Sequence, residues 1–154
     1  MYQSVVNSYQ QTQFFTTNPS KLILMCYEGA ISSLKLARDN YLAGRFEAKA
    51  GALQKCLDIL HELNAILDLE KGGECAVNLR SLYVYMTQAL TEADLKRDIE
   101  TMDQVITMLE ELESAWKVVA AHAVGAEERR PAPGVGPGIH RSVQPAAVVR
   151  TWSV

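Results

Sequence analysis

From Ile23 the apolar residues Tyr27, Ala30, Leu34, Ala37 and Tyr41 follow one another at steps of 4, 3, 4, 3 and 4. That spacing keeps side chains on one face of an α-helix. Asn18-Pro19-Ser20 marks its start, because proline in the first turn gives up only an N–H that has no intrahelical partner, and Asn18 can cap. The predicted helix runs to about Ala43, where Gly44 ends it. A second stretch has two neighbouring rows, Leu53, Leu57, Leu60 and Leu67 beside Ala52, Cys56, Ile59, Leu63 and Ile66. Such a broad apolar face needs more than one partner helix.

Glu70-Lys71-Gly72-Gly73 interrupts this pattern, and paired glycines cost about 1 kcal/mol each inside a helix, so a turn is predicted there. A third row follows in Cys75, Leu79, Leu82, Met86, Ala89 and Ala93, widened by Tyr83 and Leu90. Asp98 is the expected cap of a fourth helix, in which Ile99, Met102 and Ile106 lead into Val105, Leu109, Leu112, Trp116 and Val119. Four helices of roughly 22–25 residues at 1.5 Å per residue, joined by short connections, pack most simply as an all-α, antiparallel up-down four-helix bundle.

The two ends of the chain read differently. Residues 1–17 are rich in Gln, Ser, Thr and Asn, with Val5, Val6, Tyr9, Phe14 and Phe15 interspersed, and this predicts an N-terminal arm lying on the bundle of residues 18–124. Residues 125–154 hold four of the five prolines and four of the nine glycines, which predicts a disordered tail. The tail closes with Val148, Val149 and Trp152, side chains able to dock on the bundle or a partner, although a linker role is the simpler expectation.

The formal net charge of -3 conceals two unlike parts. Residues 1–124 are acidic and the tail is arginine-bearing. No helix carries the dense basic stripe that nucleic-acid binding requires, so no nucleic-acid partner is expected. The beginning of the chain lacks a secretory signal pattern and no stretch is long and apolar enough for a membrane span, so a cytosolic protein without membrane insertion is expected. Cys26, Cys56 and Cys75 lie at apolar helical positions and are expected to be free, buried thiols.

Chemistry is thinly represented. A di-metal carboxylate bundle needs two Glu-x-x-His pairs, and the nearest approach is the single Asp58-Ile59-Leu60-His61. His122 and His140 fall outside any such arrangement. Nucleotide, zinc-hydrolase and nucleophile-elbow motifs are not found, so neither catalytic residues, metal nor cofactor are expected. What remains is an aromatic surplus. Tyr27, Tyr83, Tyr85 and Trp116 sit on helices whose apolar rows are already complete, and partial exposure in a binding groove would suit them. Ordinary core filling is the alternative for each.

Three stretches make the chain similar to a known family. Tyr9-Gln10-Gln11-Thr12-Gln13, followed by Asn18 through Ile31 with the run Met25-Cys26-Tyr27-Glu28-Gly29-Ala30-Ile31, resembles the opening of the flagellar secretion chaperone family FliS, with Cys26 and Glu28 in place of the usual Leu and Asp. Leu67 through Glu74, continuing to Asn78-Leu79 and Leu82-Tyr83-Val84-Tyr85-Met86, resembles the family's central turn and third helix. Leu109-Glu110-Glu111-Leu112 with Ala115-Trp116-Lys117 resembles its fourth. The resemblance covers about residues 1–120. It implies a cytoplasmic chaperone that binds the disordered C-terminal segment of flagellin, prevents premature polymerisation and supports secretion through the flagellar type III export apparatus, with the export gate as a further partner. It also implies that the N-terminal segment shields the client surface until displaced, which singles out Val5, Val6 and Tyr9 in the arm. Tyr9, Tyr27, Tyr83 and Trp116 are the candidate client-binding residues. The competing readings are a structural adaptor that oligomerises without such a client and a carboxylate-bridged metal enzyme on the same bundle.

Overall fold

The computed structural model describes residues 19–128 of the chain, and the side chains of 19–122. Four helices account for nearly all of this span: α1 (Pro19–Leu42), α2 (Phe46–Ala65), α3 (Leu69–Lys96) and α4 (Ile99–Glu128). Each packs against its neighbours in sequence, and α1 closes the ring on α4, as an antiparallel up-down bundle requires. The helix lengths are less equal than the sequence suggests, at 24, 20, 28 and 30 residues. Helix α4 continues through Gly125 rather than stopping before it.

The connections follow from backbone chemistry. After α1, Gly44 takes a φ of +75°, its N–H donates to Tyr41 O at 3.1 Å, and the Arg45 N–H donates to Asn40 O at 2.9 Å. This pair of bonds satisfies the last carbonyls of the helix and reverses the chain. The α3–α4 connection does the same with a side chain present. Arg97 adopts φ 57° and the Asp98 N–H reaches back to Ala93 O at 2.9 Å. Asp98 then caps α4 as expected, accepting from the Thr101 N–H at 3.1 Å and from Thr101 Oγ1 at 2.6 Å. Pro19 opens α1 as predicted; the proposed capping residue Asn18 lies outside the described residues.

The α2–α3 turn differs from the expectation. The chain reverses at residues 66–68, before the two glycines, because the Asp68 carboxylate accepts from the Glu70 and Lys71 N–H groups at 3.1 and 3.0 Å and starts α3 there. Gly73, at φ 57° and ψ −138°, bends the helix four residues later. The glycine pair therefore kinks α3 and does not separate it from α2.

The core is continuous through all four helices. The rows predicted for α1, α2 and α4 are buried, apart from the half-buried Tyr41, Leu57, Ile66, Ile99 and Leu112 and the exposed Val119. On α3 the buried row is Ala76, Leu79, Tyr83, Met86, Leu90 and Ala93. Leu82 and Ala89 are half-buried, and Cys75 is exposed. The two possible rows share Leu79, Met86 and Ala93, and the bundle turns the larger Tyr83 and Leu90 inward. The broadest interface is α1 on α2. Gly29 permits it, since a Cβ there would stand 3.2 Å from Ile59 Cδ1.

Glycine substitutions should act in opposite directions here. Gly51 is exposed inside α2 with open space around it, so Gly51→Ala is expected to stabilise the bundle by about 0.5–1 kcal/mol. Gly73→Ala meets no atom either, yet its positive φ makes a loss of about 1 kcal/mol the expectation. Urea unfolding of the two variants checks this, and a stabilising Gly73→Ala would show that the bend does not depend on the glycine.

Candidate functional site

Tyr27 on α1, Tyr83 on α3 and Trp116 on α4 occupy inward positions of helical rows, and antiparallel packing brings them to one level of the bundle. Their relative exposures are 0%, 2% and 7%. The Trp116 Nε1–H donates to Tyr27 Oη at 3.1 Å, and the Tyr27 and Tyr83 hydroxyls share a buried hydrogen bond. The two tyrosine rings lie 6.5 Å apart at 46°. Three helices, including the diagonal pair α1 and α3, are thus tied at one polar point inside an apolar core. Partial exposure in a groove is not what the bundle gives these three residues. Tyr85 alone of the aromatic surplus is open, at 53%.

Burial governs the chemistry of these groups. Desolvation pushes the Tyr27 hydroxyl up to about 12, against the opposing hydrogen bonds from Tyr83 and Trp116, and it pushes Tyr83 higher still. Both are neutral at physiological pH. Their raised values mean that the stability they contribute is complete below pH 10 and falls as pH rises beyond it. Burial likewise lifts the Cys56 thiol to about 12 and, with the negative Glu62 nearby, the Cys26 thiol to about 11. All three cysteines are free, but the expectation that all are buried holds for Cys56 only: Cys26 is half-buried and Cys75 exposed.

Val5, Val6 and Tyr9, the remaining candidates, lie outside the described residues. Among the described residues no three His, Cys, Asp or Glu side chains gather where they could hold a metal ion. His61 is exposed, and Asp58 accepts from Gln54 Nε2 at 2.9 Å. No described helix is long and apolar enough to cross a membrane.

The sequence rows did not single out what the outer surface carries. Val77, Val84 and Leu95 on α3 are 50%, 40% and 82% exposed, and Val118 on α4 is 58% exposed. A signal existed in the spacing, since Val77, Val84 and Leu95 are 7 and 11 residues apart and so share a helical face. Beside them a groove of about 320 Å³ between α3 and the start of α4 is lined by Tyr85, Gln88, Ala89, Glu92, Lys96 and Thr101, among others.

Fold and site together define a class: an all-α antiparallel four-helix bundle whose one buried polar cluster, among the described residues, is a structural aromatic knot without catalytic or metal-binding groups around it. The sequence profile described as flagellar protein FliS matches residues 1–123. The flagellar secretion chaperone FliS of Salmonella typhimurium is 38% identical over 120 residues, covering 77% of this chain and 89% of that protein. That of Vibrio cholerae is 35% identical over 105 residues, covering 68% and 77%. The flagellar secretion chaperone FliSB of Pseudomonas aeruginosa is 34% identical over 115 residues, covering 72% and 91%. The chain belongs to the FliS family of flagellar secretion chaperones. Its relatives are named for chaperoning, a binding function, and not for catalysis.

The knot has a centre. Tyr27→Phe strands both the Trp116 N–H and the Tyr83 hydroxyl in the core, whereas Tyr83→Phe leaves the Trp116–Tyr27 bond in place. At about 1–3 kcal/mol per stranded group, Tyr27→Phe is expected to lower stability by about 3 kcal/mol and Tyr83→Phe by about 1 kcal/mol. Chemical denaturation measures both, and equal losses would mean that Tyr27 is not the hub.

Proposed function

We propose that this protein holds the C-terminal segment of flagellin in the cytosol, keeps it from polymerising and hands it to the flagellar export gate. The observation that carries this reading is the family match over residues 1–123, and the rigid bundle with apolar side chains on its outer faces supplies a physical basis. A client that is disordered when free must be ordered on binding, at about 2–5 kcal/mol of the gross interaction, so a long apolar contact is needed. A scaffold that does not itself reorganise avoids a second ordering cost.

Within this proposal the candidate residues take different parts. Tyr9, with Val5 and Val6, belongs to an arm that covers client surface in the free protein and is exchanged for the client. Tyr27, Tyr83 and Trp116 support the client-binding surface from beneath, because their knot sets where α1, α3 and α4 stand relative to one another.

Calorimetric titration with a peptide covering the last ~50 residues of the same cell's flagellin tests the reading, the length being that of a segment able to bury the area such coupled folding requires. One-to-one binding is expected, with none to flagellin lacking that segment. Binding to neither would remove the flagellin client and leave an adaptor bundle. The arm is tested separately: deleting residues 1–17 should tighten peptide binding, and weaker binding would make the arm a clamp instead of a shield.

A further inference from the structure

Helix α3 has a surface that the bundle does not use. Of the ten large apolar side chains exposed among the described residues, five are on this helix: Leu69, Val77, Val84, Tyr85 and Leu95. Val77, Val84 and Leu95 form one line along its outer face, and Tyr85 stands at the edge of that line. These side chains are unpartnered within the bundle, and an apolar segment laid along the outer face would cover Val77 and Val84 together.

The chain also continues beyond the residues that the family profile matches. The FliS profile stops at residue 123, and α4 ends at Glu128. From residue 129 to 154 the sequence contains four arginines, Arg129, Arg130, Arg141 and Arg150, and no acidic residue. All 18 Asp and Glu residues therefore lie in residues 1–128, with 11 of the 15 Lys and Arg, a net charge of -7 against +4 in the segment that follows. The same segment contains Val148, Val149 and Trp152, an apolar cluster without a role in the chaperone reading.

Position and length bring the two together. Because α3 and α4 are antiparallel neighbours, the chain leaves α4 at the end of the bundle where α3 begins. The exposed Glu70 and Glu74 are at that end of α3, two turns and one turn before Val77, with the exposed Lys71 between them. Val148 follows Glu128 by 20 residues, and the random-coil length scale for 20 residues is about 25 Å root-mean-square. Val77 and Val84 are about 12 and 22 Å from the start of α3 at 1.5 Å per residue. That length exceeds the distance along α3 to Val77 and Val84, and the acidic side chains at the start of α3 are opposite in charge to the segment's arginines.

We infer that residues 129–154 form an intramolecular strap, with Val148, Val149 and Trp152 seated on the α3 line of Val77 and Val84 and the arginines held by the acidic surface of the bundle. The occupant is this chain's own segment, and the inference does not depend on which client the protein carries.

Full-length protein grown with 5-fluorotryptophan tests the strap by fluorine NMR. The chain has two tryptophans, Trp116 and Trp152, and Trp152→Phe assigns the signals. The Trp152 signal is expected to be displaced from its position in a free peptide of residues 129–154 and to return to that position in Val84→Asp. The buried Trp116 signal, unchanged, reports that the variant is folded; if it moves, Val77→Asp replaces it. A Trp152 signal that matches the free peptide in the intact protein overturns the strap. So does a displacement insensitive to both substitutions, which puts the seat elsewhere, or one that vanishes on dilution, which makes the occupant a second copy of the chain.

Discussion

The hydrogen bonds that join Trp116, Tyr27 and Tyr83 impose the tightest constraint on this bundle, because they must all be made at once. Apolar rows hold helices together without fixing how far each slides along its neighbour, since one leucine replaces another at little cost. A buried hydroxyl or indole N–H has no such freedom, and stranding it costs more than the bond gains. Tyr27 answers to two helices, and its two bonds cross the centre of the bundle to α3 and reach sideways to α4. The levels of α1, α3 and α4 are therefore set together.

Around this point the packing is uneven. α1 and α2 approach most closely, helped by the missing side chain at Gly29 and the ordered reversal at Gly44. α3 is joined to them more lightly, through its buried row and the ion pair from Lys49 Nζ to Asp94 Oδ1 at 2.5 Å. Surface pairs such as Arg38–Asp103, at 3.0 Å between α1 and α4, contribute at most about 1 kcal/mol each. The helix that packs least extensively against its neighbours is also the one with the most exposed large apolar side chains.

Legibility followed the range of the interactions involved. Helix starts and stops that rest on a residue and its immediate neighbours, such as Pro19, Gly44 and Asp98, could be read directly. The Gly72-Gly73 pair reads as a turn but is not one, because the capping carboxylate of Asp68, four residues before Gly72, completes the α2–α3 reversal first. Cys75 reads as a core residue because the rows through Cys75 and through Ala76 are equally helical, and only the neighbouring helices choose between them.

The aromatic residues show the same boundary from the side of function. Tyr27, Tyr83 and Trp116 were conspicuous in the sequence as surplus to complete rows, and the words around them carry the family resemblance that residues 1–123 bear out. Whether such residues face in or out depends on the rotation and level of three separate helices, which no single stretch encodes. By itself the sequence determined the number of helices, their antiparallel order and the family, because these follow from local periodicity, short connections and runs of neighbouring residues that resemble the family's. Only the tertiary structure decided that the three rings meet in a buried hydrogen-bonded knot and that Val77, Val84 and Leu95 stay outside, because burial is settled by what packs opposite.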